Sequence, residues 1–178
     1  RTPLTSIIGY SKLLKSEKIG KLNETQKDSL DTIIDESERL TRLINDLLDL
    51  SKLERGRMTL SLKEVDMNSL IDHAVNIMQP QGEHLEFKVK KGDIPNISAD
   101  KDKLNQVLNN LISNAIKFTD KGGTVTVQTK DTRTHIKVLV SDTGRGIEKD
   151  HIPKLFDKFY QVDPSLTKVS SGTGLGLP

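Results

Sequence analysis

The chain has 178 residues, which is enough for one ordinary domain or two small ones. Its formal net charge of +2 comes from charges of both signs spread along the chain, so we expect no nucleic acid partner and no polybasic membrane patch. There is no cysteine, no apolar run as long as a membrane span and no signal-peptide pattern. These absences exclude disulfides, thiolate metal sites and membrane contact within these residues, and they fit a cytoplasmic protein.

The first third of the chain predicts two helices that pack as an antiparallel hairpin. Heptad-like apolar spacing runs from Leu4 to Leu14, with Pro3 at or near the start of the first helix. A turn containing Gly20 follows, and a second helix is predicted from about Glu24 to Leu53. The second helix carries a seam of period 3.5, formed by Leu30, Ile33, Ile34, Ser37, Leu40, Ile44, Leu47, Leu48 and Ser51.

A hairpin of this kind needs further apolar neighbours, because two helices alone bury little of their seams. A second copy of the hairpin would complete a dimeric four-helix bundle, so the pattern favours a homodimer. Docking of the hairpin on the rest of its own chain is the alternative.

The remainder of the chain alternates helices with mostly antiparallel strands. After a connector with strand-like alternation at residues 57–63, one helix is capped by Asp66 and ended by Pro80, and another is capped by Asp100. The predicted strands cover residues 85–89, 97–99, 124–129 and 136–141. This order indicates an α+β fold with helices on one face of a mixed sheet.

The stretch NNLISNAIKFTD, residues 109–120, carries the first pattern with chemical meaning. In a helix, Asn110, Asn114 and Lys117 share one side. The opposite, apolar side is formed by Leu104, Val107, Leu108, Leu111, Ile112 and Ala115. Amide oxygens suit a hard cation such as magnesium, and an ammonium suits a phosphoryl oxygen. An ordinary solvated helix face is the alternative.

Two glycine-rich stretches follow. In DTGRGI, which comes directly after a predicted strand, a buried Asp142 could accept a hydrogen bond from an exocyclic amine while Gly144 and Gly146 let the backbone approach a flat ring. An ordinary turn is the alternative. In GTGLGL, residues 172–177, backbone N–H groups can gather around phosphates.

The residues before GTGLGL have the composition of a mobile lid. Residues 163–171 are small and polar, and just upstream lie Leu155, Phe156 and Phe159. These apolar side chains either anchor the lid or pack in the core.

Taken together, these stretches resemble the sensor histidine kinases of two-component systems, whose catalytic domain has the GHKL (Bergerat-type) ATP-binding fold shared with gyrase and Hsp90. Residues 110–119 match the family's N box, 142–147 its first glycine box, 155–159 its F box and 172–177 its second glycine box. The opening RTPLT is similar to the end of the H box. The resemblance implies a dimerisation and phosphotransfer hairpin at residues 1–57, a linker at 58–63 and a catalytic ATP-binding domain, an α/β sandwich, at 64–178.

The resemblance also implies roles for individual residues, with ATP and Mg²⁺ as the bound groups. It makes Asn114 the magnesium ligand, Asn110 its companion, Lys117 a phosphate contact and Asp142 the reader of adenine. The residues implied around the nucleotide are Asn110, Asn114, Lys117, Phe118, Asp142, Gly144, Gly146, Ile147, Phe159, Gly172, Thr173, Gly174, Leu175, Gly176 and Leu177. The residues implied in catalysis are Thr2, Asn110 and Lys117, with Thr2 positioning water if the kinase also dephosphorylates its partner.

Several positions depart from the family pattern. Phe118 stands where a tyrosine is common, Gln161 stands where many members have an arginine that aids phosphoryl transfer, and Pro178 replaces a small residue. Lys158 or Lys168 could supply the charge that Gln161 lacks. The phosphoacceptor histidine would lie three residues before Arg1, so we interpret the chain as a piece of a longer protein. The four histidines of the chain, His73, His84, His135 and His151, lie outside the motif and are expected not to be phosphorylated.

The function that the resemblance implies is ATP-dependent phosphorylation of a histidine, followed by transfer to an aspartate on a response-regulator receiver domain. The catalytic portion is expected in the cytoplasm, and attachment of the full-length protein to a membrane stays open. Two other functions stay open as well. One is a dimeric nucleotide-binding interaction module that is inactive in phosphotransfer, and the other is a GHKL ATPase that releases inorganic phosphate.

Overall fold

The structure is a computed structural model that describes residues 2–162 and 174–178, with only the backbone described at residue 2. The chain forms two compact units, residues Arg1–Met58 and Thr59–Pro178. No helix among the described residues is long and apolar enough to cross a membrane.

The first unit is the predicted helical hairpin. Helix α1 spans Thr2–Lys15 and helix α2 spans Glu24–Glu54. Ion pairs join Lys12 to Glu38, at 2.7 Å, and Lys15 to Asp31. Because the partner's number falls as the lysine's number rises, the two helices run antiparallel.

Local signals define both ends of α2. The Asn23 side chain accepts a hydrogen bond from the Gln26 N–H at 2.8 Å, and the Gln26 side chain accepts one from the Asn23 N–H at 2.9 Å. This reciprocal pair satisfies two N–H groups that the first turn leaves without helical partners. At the other end Arg55 caps the helix, and Gly56, with a φ of 60°, turns the chain away from it.

Much of the seam of the hairpin is exposed. Within α2 the buried residues are Ile34 and Ser37, and in α1 Ser11 is buried. By contrast, Leu47 has 53% of its surface exposed. The other exposed apolar side chains of α1 and α2 are Ile7, Tyr10, Leu13, Leu14, Ile33, Leu40, Leu48 and Leu53. A stripe of this extent is typical of a surface that another apolar surface covers.

The second unit is an α+β sandwich. Its helices are α3 (Met67–Met78) and α4 (Lys101–Phe118), with short 3₁₀ turns at Gln79–Gly82 and Ile152–Lys154. Its strands are β1 (Lys63–Val65), β2 (Glu86–Lys90), β3 (Ile97–Ala99), β4 (Thr124–Asp131) and β5 (Ile136–Asp142). The α+β expectation is therefore confirmed.

The strands form two sheets. Strands β1 and β3 pair antiparallel, with Val65 opposite Ile97. In the larger sheet the order is β2-β4-β5, where β2 and β4 are parallel and β4 and β5 are antiparallel. The strand-like connector expected at residues 57–63 forms no strand before Lys63. Alternation alone does not make a strand there, because no neighbouring strand pairs with those residues.

Helix α4 is held along its whole inner side, which is what positions its polar side. Leu108, Ile112 and Ala115 are buried, and Ile112 has no exposed surface. Each large aliphatic side chain buried in this way stabilises the fold by roughly 1.5–3 kcal/mol. Val107, which we expected on the same apolar side, is instead 53% exposed, because it lies about one quarter turn away from the row of buried residues.

Both predicted N-caps are present in the second unit. Asp66 accepts hydrogen bonds from the N–H groups of Asn68 and Ser69 at the start of α3. Asp100 does the same for Asp102 and Lys103 at the start of α4, and its other oxygen accepts the Ser61 N–H at 2.8 Å. The Asp100 contact therefore fastens the incoming chain to the helix that carries the candidate site.

Candidate functional site

The outer side of α4 carries the predicted polar stripe. Asn110, Asn114 and Lys117 are half-buried and lie on the side of the helix opposite Ile112 and Ala115. Their positions are fixed because the apolar side of the helix is fixed. Two amides and an ammonium therefore stand in one row, on a rigid element rather than on a loop.

The loop after β5 lies directly against the end of α4. The Arg145 N–H donates to the Phe118 carbonyl at 3.3 Å, and the Gly144 N–H donates to Asp142 Oδ1 at 2.9 Å. A Cβ added at Gly144 would lie 2.1 Å from the Phe118 carbonyl oxygen, far inside contact distance. Only glycine permits this approach, so the sequence DTGRGI is what joins the loop to the helix.

Asp142 differs from the prediction in its surroundings. It was expected to be buried, but it is exposed, because no described element covers the end of β5. Its Oδ1 is occupied by the Gly144 N–H, while Oδ2 has no partner within the described part of the chain. An exocyclic amine could therefore donate to Oδ2 without displacing a protein contact. Beside it, Gly146 has a φ of 70° and open space around it, and Ile147 is exposed.

The turn after α4 braces the same loop. A Cβ at Gly123 would lie 2.3 Å from Thr119 Cγ2 and 2.9 Å from Thr143 Oγ1. The Thr143 hydroxyl in turn accepts the Thr124 N–H at 2.9 Å. The two loops are thus packed together without room for a side chain at position 123.

The second glycine stretch reaches the middle of α4. The Asn110 side-chain Nδ2 donates to the Gly176 carbonyl at 3.0 Å, and the Phe159 N–H donates to the Gly174 carbonyl at 2.9 Å. Gly174 has a φ of 66°, and a Cβ there would lie 2.6 Å from the Phe159 backbone. These contacts bring three separate stretches of sequence around one helix.

Of the apolar residues before this stretch, Leu155 is half-buried and the two phenylalanines are exposed. Phe156 and Phe159 are 68% and 60% exposed, so core packing is excluded for both. Phe159 also adopts a φ of 63°, which is unusual for a bulky residue, and the Gly174 contact holds it there. Gly172, Thr173 and the expected lid at residues 163–171 lie outside the described residues, as does the side chain of Thr2. Leu175 and Leu177 are half-buried.

The end of α4 is strongly cationic. The Lys117 ammonium and the Arg145 guanidinium each lie 4.9 Å from the centre of the Phe118 ring. Partial burial lowers the pKa of Lys117, and the nearby positive charge of Arg145 lowers it further. We did not identify Arg145 from the sequence, although a lone cation between the two glycines of DTGRGI was a usable signal.

Comparisons with known proteins identify the family of the chain. Residues 1–56 match the model of the His Kinase A (phospho-acceptor) domain. Residues 99–178 match the model of the histidine kinase-, DNA gyrase B-, and HSP90-like ATPase family. The chain belongs to the sensor histidine kinase family.

The proteins that this chain resembles over its whole length are much longer than it. The chain is 39% identical to the non-motile and phage-resistance protein of Caulobacter vibrioides over 99% of its length, but it covers 22% of that protein. It is 37% identical to the circadian input-output histidine kinase CikA of Synechococcus elongatus, of which it covers 24%. The crystal structure of full-length ShkA in complex with AMPPNP has a TM-score of 0.79 and 30% identity, covering 99% of this chain and 36% of that one.

The side chains near the polar side of α4 fit a metal ion that is bound mainly by the phosphate oxygens of a nucleotide and only partly by the protein. No group of three or more His, Asp or Glu side chains that could hold a metal occurs within residues 2–162 or 174–178. A magnesium ion commonly binds one or two protein oxygens together with phosphate oxygens and water. Asn114 is placed to supply such an oxygen, and its side chain has no protein partner in the described ranges.

All four histidines of the chain lie in the second unit. Of these, His73, His84 and His135 are exposed. His151 is half-buried, and its Nδ1 lies 2.5 Å from the Tyr160 hydroxyl. Two shallow hollows, of about 340 and 170 Å³, are lined by residues of α3 and its neighbours and include no residue of the four motifs.

We predict that Gly144→Ala separates the first glycine loop from α4. The added Cβ must push the Phe118 carbonyl away, so we expect the Arg145 amide to exchange its hydrogen faster and ATP affinity to fall about tenfold or more. Amide hydrogen exchange and calorimetric titration measure the two effects. Gly9→Ala is the matched control, because a Cβ at Gly9 meets nothing within 4 Å. Wild-type affinity in the Gly144→Ala variant would show that the close approach is not needed.

Proposed function

We propose that this chain is the core of an ATP-dependent protein-histidine kinase, with a helical hairpin at residues 1–57, a linker at 58–63 and a catalytic ATP-binding domain at 64–178. The observation that carries the proposal is the gathering of both glycine stretches around the polar side of α4. The contacts of Gly144 with Phe118 and of Gly176 with Asn110 support it. The AMPPNP in the similar ShkA structure supports an adenine nucleotide as the ligand.

In this proposal each part of the nucleotide has its own protein partner. Asp142 Oδ2 accepts a hydrogen bond from the adenine amine, and Gly144, Gly146 and Ile147 form the surface on which the ring lies. Lys117 and the N–H groups of the second glycine stretch bind phosphate oxygens. Asn114 would hold Mg²⁺, with Asn110 as its companion, and the bound ion would supply positive charge to the phosphoryl oxygens.

The chemistry requires little from the protein beyond position and charge. Phosphoryl transfer passes through a loose transition state, so holding the phosphate in line with its acceptor provides most of the catalysis. We propose a histidine three residues before Arg1 as the acceptor and a receiver-domain aspartate of a response regulator as the next acceptor. Thr2, one turn further along the same helix, would position water in the reverse, dephosphorylating reaction. The family resemblance implies a cytoplasmic location for these steps.

We also propose that the kinase core is a homodimer through the hairpin. The apolar stripe of α1 and α2 supports this, since Leu40, Leu47 and Leu48 are about half exposed. Burying such side chains against a second copy contributes roughly 1.5–3 kcal/mol for each one that becomes fully buried. Ser11 and Ser37, by contrast, are already buried within one copy of the chain.

Phosphotransfer is the direct test of the kinase proposal. We expect label from γ-labelled ATP to appear, as acid-labile phosphate, on a separate hairpin peptide that carries a histidine three residues before its RTPL sequence. Asp142→Asn should reduce the initial rate at limiting ATP at least about tenfold, because the adenine amine loses a charged acceptor. Asp93→Asn, an exposed carboxylate with no partner in the described structure, is the matched control.

Two other results would contradict the kinase proposal. Release of inorganic phosphate without labelled peptide would indicate a GHKL ATPase. Nucleotide binding with neither product would indicate an inactive interaction module.

A substitution in the seam tests the dimer. Leu47→Lys places a charge in the middle of the apolar stripe of both copies, so we expect the dimer dissociation constant to rise roughly hundredfold. Sedimentation equilibrium measures the constant, with Asp35→Lys, on an exposed position of the same helix, as the control. A monomeric wild-type chain at high concentration, or equal constants for the two variants, would refute the assignment of this stripe.

A further inference from the structure

We propose that Arg145 is a further nucleotide-binding residue, which binds phosphate oxygens together with Lys117, and that the Phe118 ring positions both cations. Arg145 is not among the nucleotide-binding residues that the family resemblance implies. The inference rests on the proposed ATP site and names a new contact within that site.

The position of Arg145 is fixed at both of its ends. Its backbone N–H donates to the Phe118 carbonyl at 3.3 Å, and its guanidinium carbon lies 4.9 Å from the centre of the Phe118 ring. The absence of a side chain at Gly144 is what lets the backbone come this close. A guanidinium held in this way loses little conformational freedom when it binds a ligand, so more of the interaction contributes to affinity.

The arrangement places two positive charges on one aromatic ring. The Lys117 ammonium lies 4.9 Å from the same ring centre as the Arg145 guanidinium. Neither cation has a carboxylate within ion-pair distance anywhere in residues 2–162 or 174–178. The ring face attracts each cation, but it does not cancel their mutual repulsion. An anion that contacts both cations would offset their mutual repulsion. The pair of cations therefore favours the binding of an anion.

The chemistry of the two side chains indicates which anion fits. A guanidinium presents a planar fork that matches two oxygens of a phosphate, and an ammonium binds a phosphoryl oxygen as a point charge. Asn114 lies one helical turn before Phe118, and Asp142 lies three residues before Arg145 on the adjoining loop. A chain of phosphates leading from an adenine at Asp142 toward Asn114 would therefore pass the two cations.

Phe118 can position the two cations although it lacks the hydroxyl group of a tyrosine. Many members of the family have a tyrosine there, and the hydroxyl contact is lost in this chain. The π face that holds the two cations is common to both residues. Phe118 therefore acts as a positioning residue, which reaches the ligand through Lys117 and Arg145.

The test compares nucleotides that differ in phosphate number. Calorimetric titration of the whole chain with ATP, ADP and adenosine, in the presence of Mg²⁺, is carried out for wild type, Arg145→Gln and Arg145→Lys. We expect Arg145→Gln to weaken ATP binding roughly tenfold and to leave adenosine binding within about twofold of wild type. The ATP affinity of Arg145→Lys, which keeps the charge but not the planar fork, should lie between those of wild type and Arg145→Gln. Inorganic tripolyphosphate should compete with ATP less well in Arg145→Gln than in wild type.

Arg57→Gln is the control, since Arg57 is exposed and its side chain has no partner in the described structure. Equal ATP affinity in wild type and Arg145→Gln would overturn the inference while leaving the ATP site intact. An equal loss for ATP and adenosine would also overturn it, because it would mean that Arg145 only supports the loop. If wild type bound no ATP, the proposed function itself would fail, and this inference with it. Should Arg145→Gln not fold, the ratio of ATP to adenosine affinity in Arg145→Lys decides between the same outcomes.

Discussion

The site depends on one backbone contact, between the Phe118 carbonyl at the end of α4 and the loop that follows β5. That contact requires a glycine at position 144, where any side chain would overlap the carbonyl oxygen. It joins the helix with the amides and the ammonium to the loop with the carboxylate. Without this contact the helix and the loop would not be held side by side, and the two motifs would not form one site.

The packing of the second unit fixes the position of α4 and therefore the position of the Phe118 carbonyl. Ile112 packs in the same core cluster as Val127 of β4, and Asp100 fixes where the helix begins. The helix ends at Phe118, which lies beside the loop that follows β5. The hydrophobic side of the helix thus determines the geometry of its polar side, although it contacts no ligand.

Much of this could be predicted from the sequence, because the signals are local. The caps at Asp66 and Asp100, the polar stripe from Asn110 to Lys117 and the strands from position 124 onward all follow from spacing within a few residues. What could not be predicted depends on distant neighbours. Val107 has the spacing of a core residue but faces outward, and Asp142 has the sequence context of a buried carboxylate but is exposed. Burial depends on what covers a residue, and that is a property of the assembled fold. The pairing of Arg145 with Phe118 is of the same kind, since 27 positions in the printed sequence separate them.

The most direct test of the account is a titration of the isotopically labelled chain with ATP and Mg²⁺, followed by NMR. We expect the largest chemical-shift changes at the side-chain amides of Asn110 and Asn114 and at the backbone amides of Gly144 and Gly176. Changes confined to the hollow beside α3, around Gln79 and Glu83, or no changes at saturating nucleotide, would contradict it.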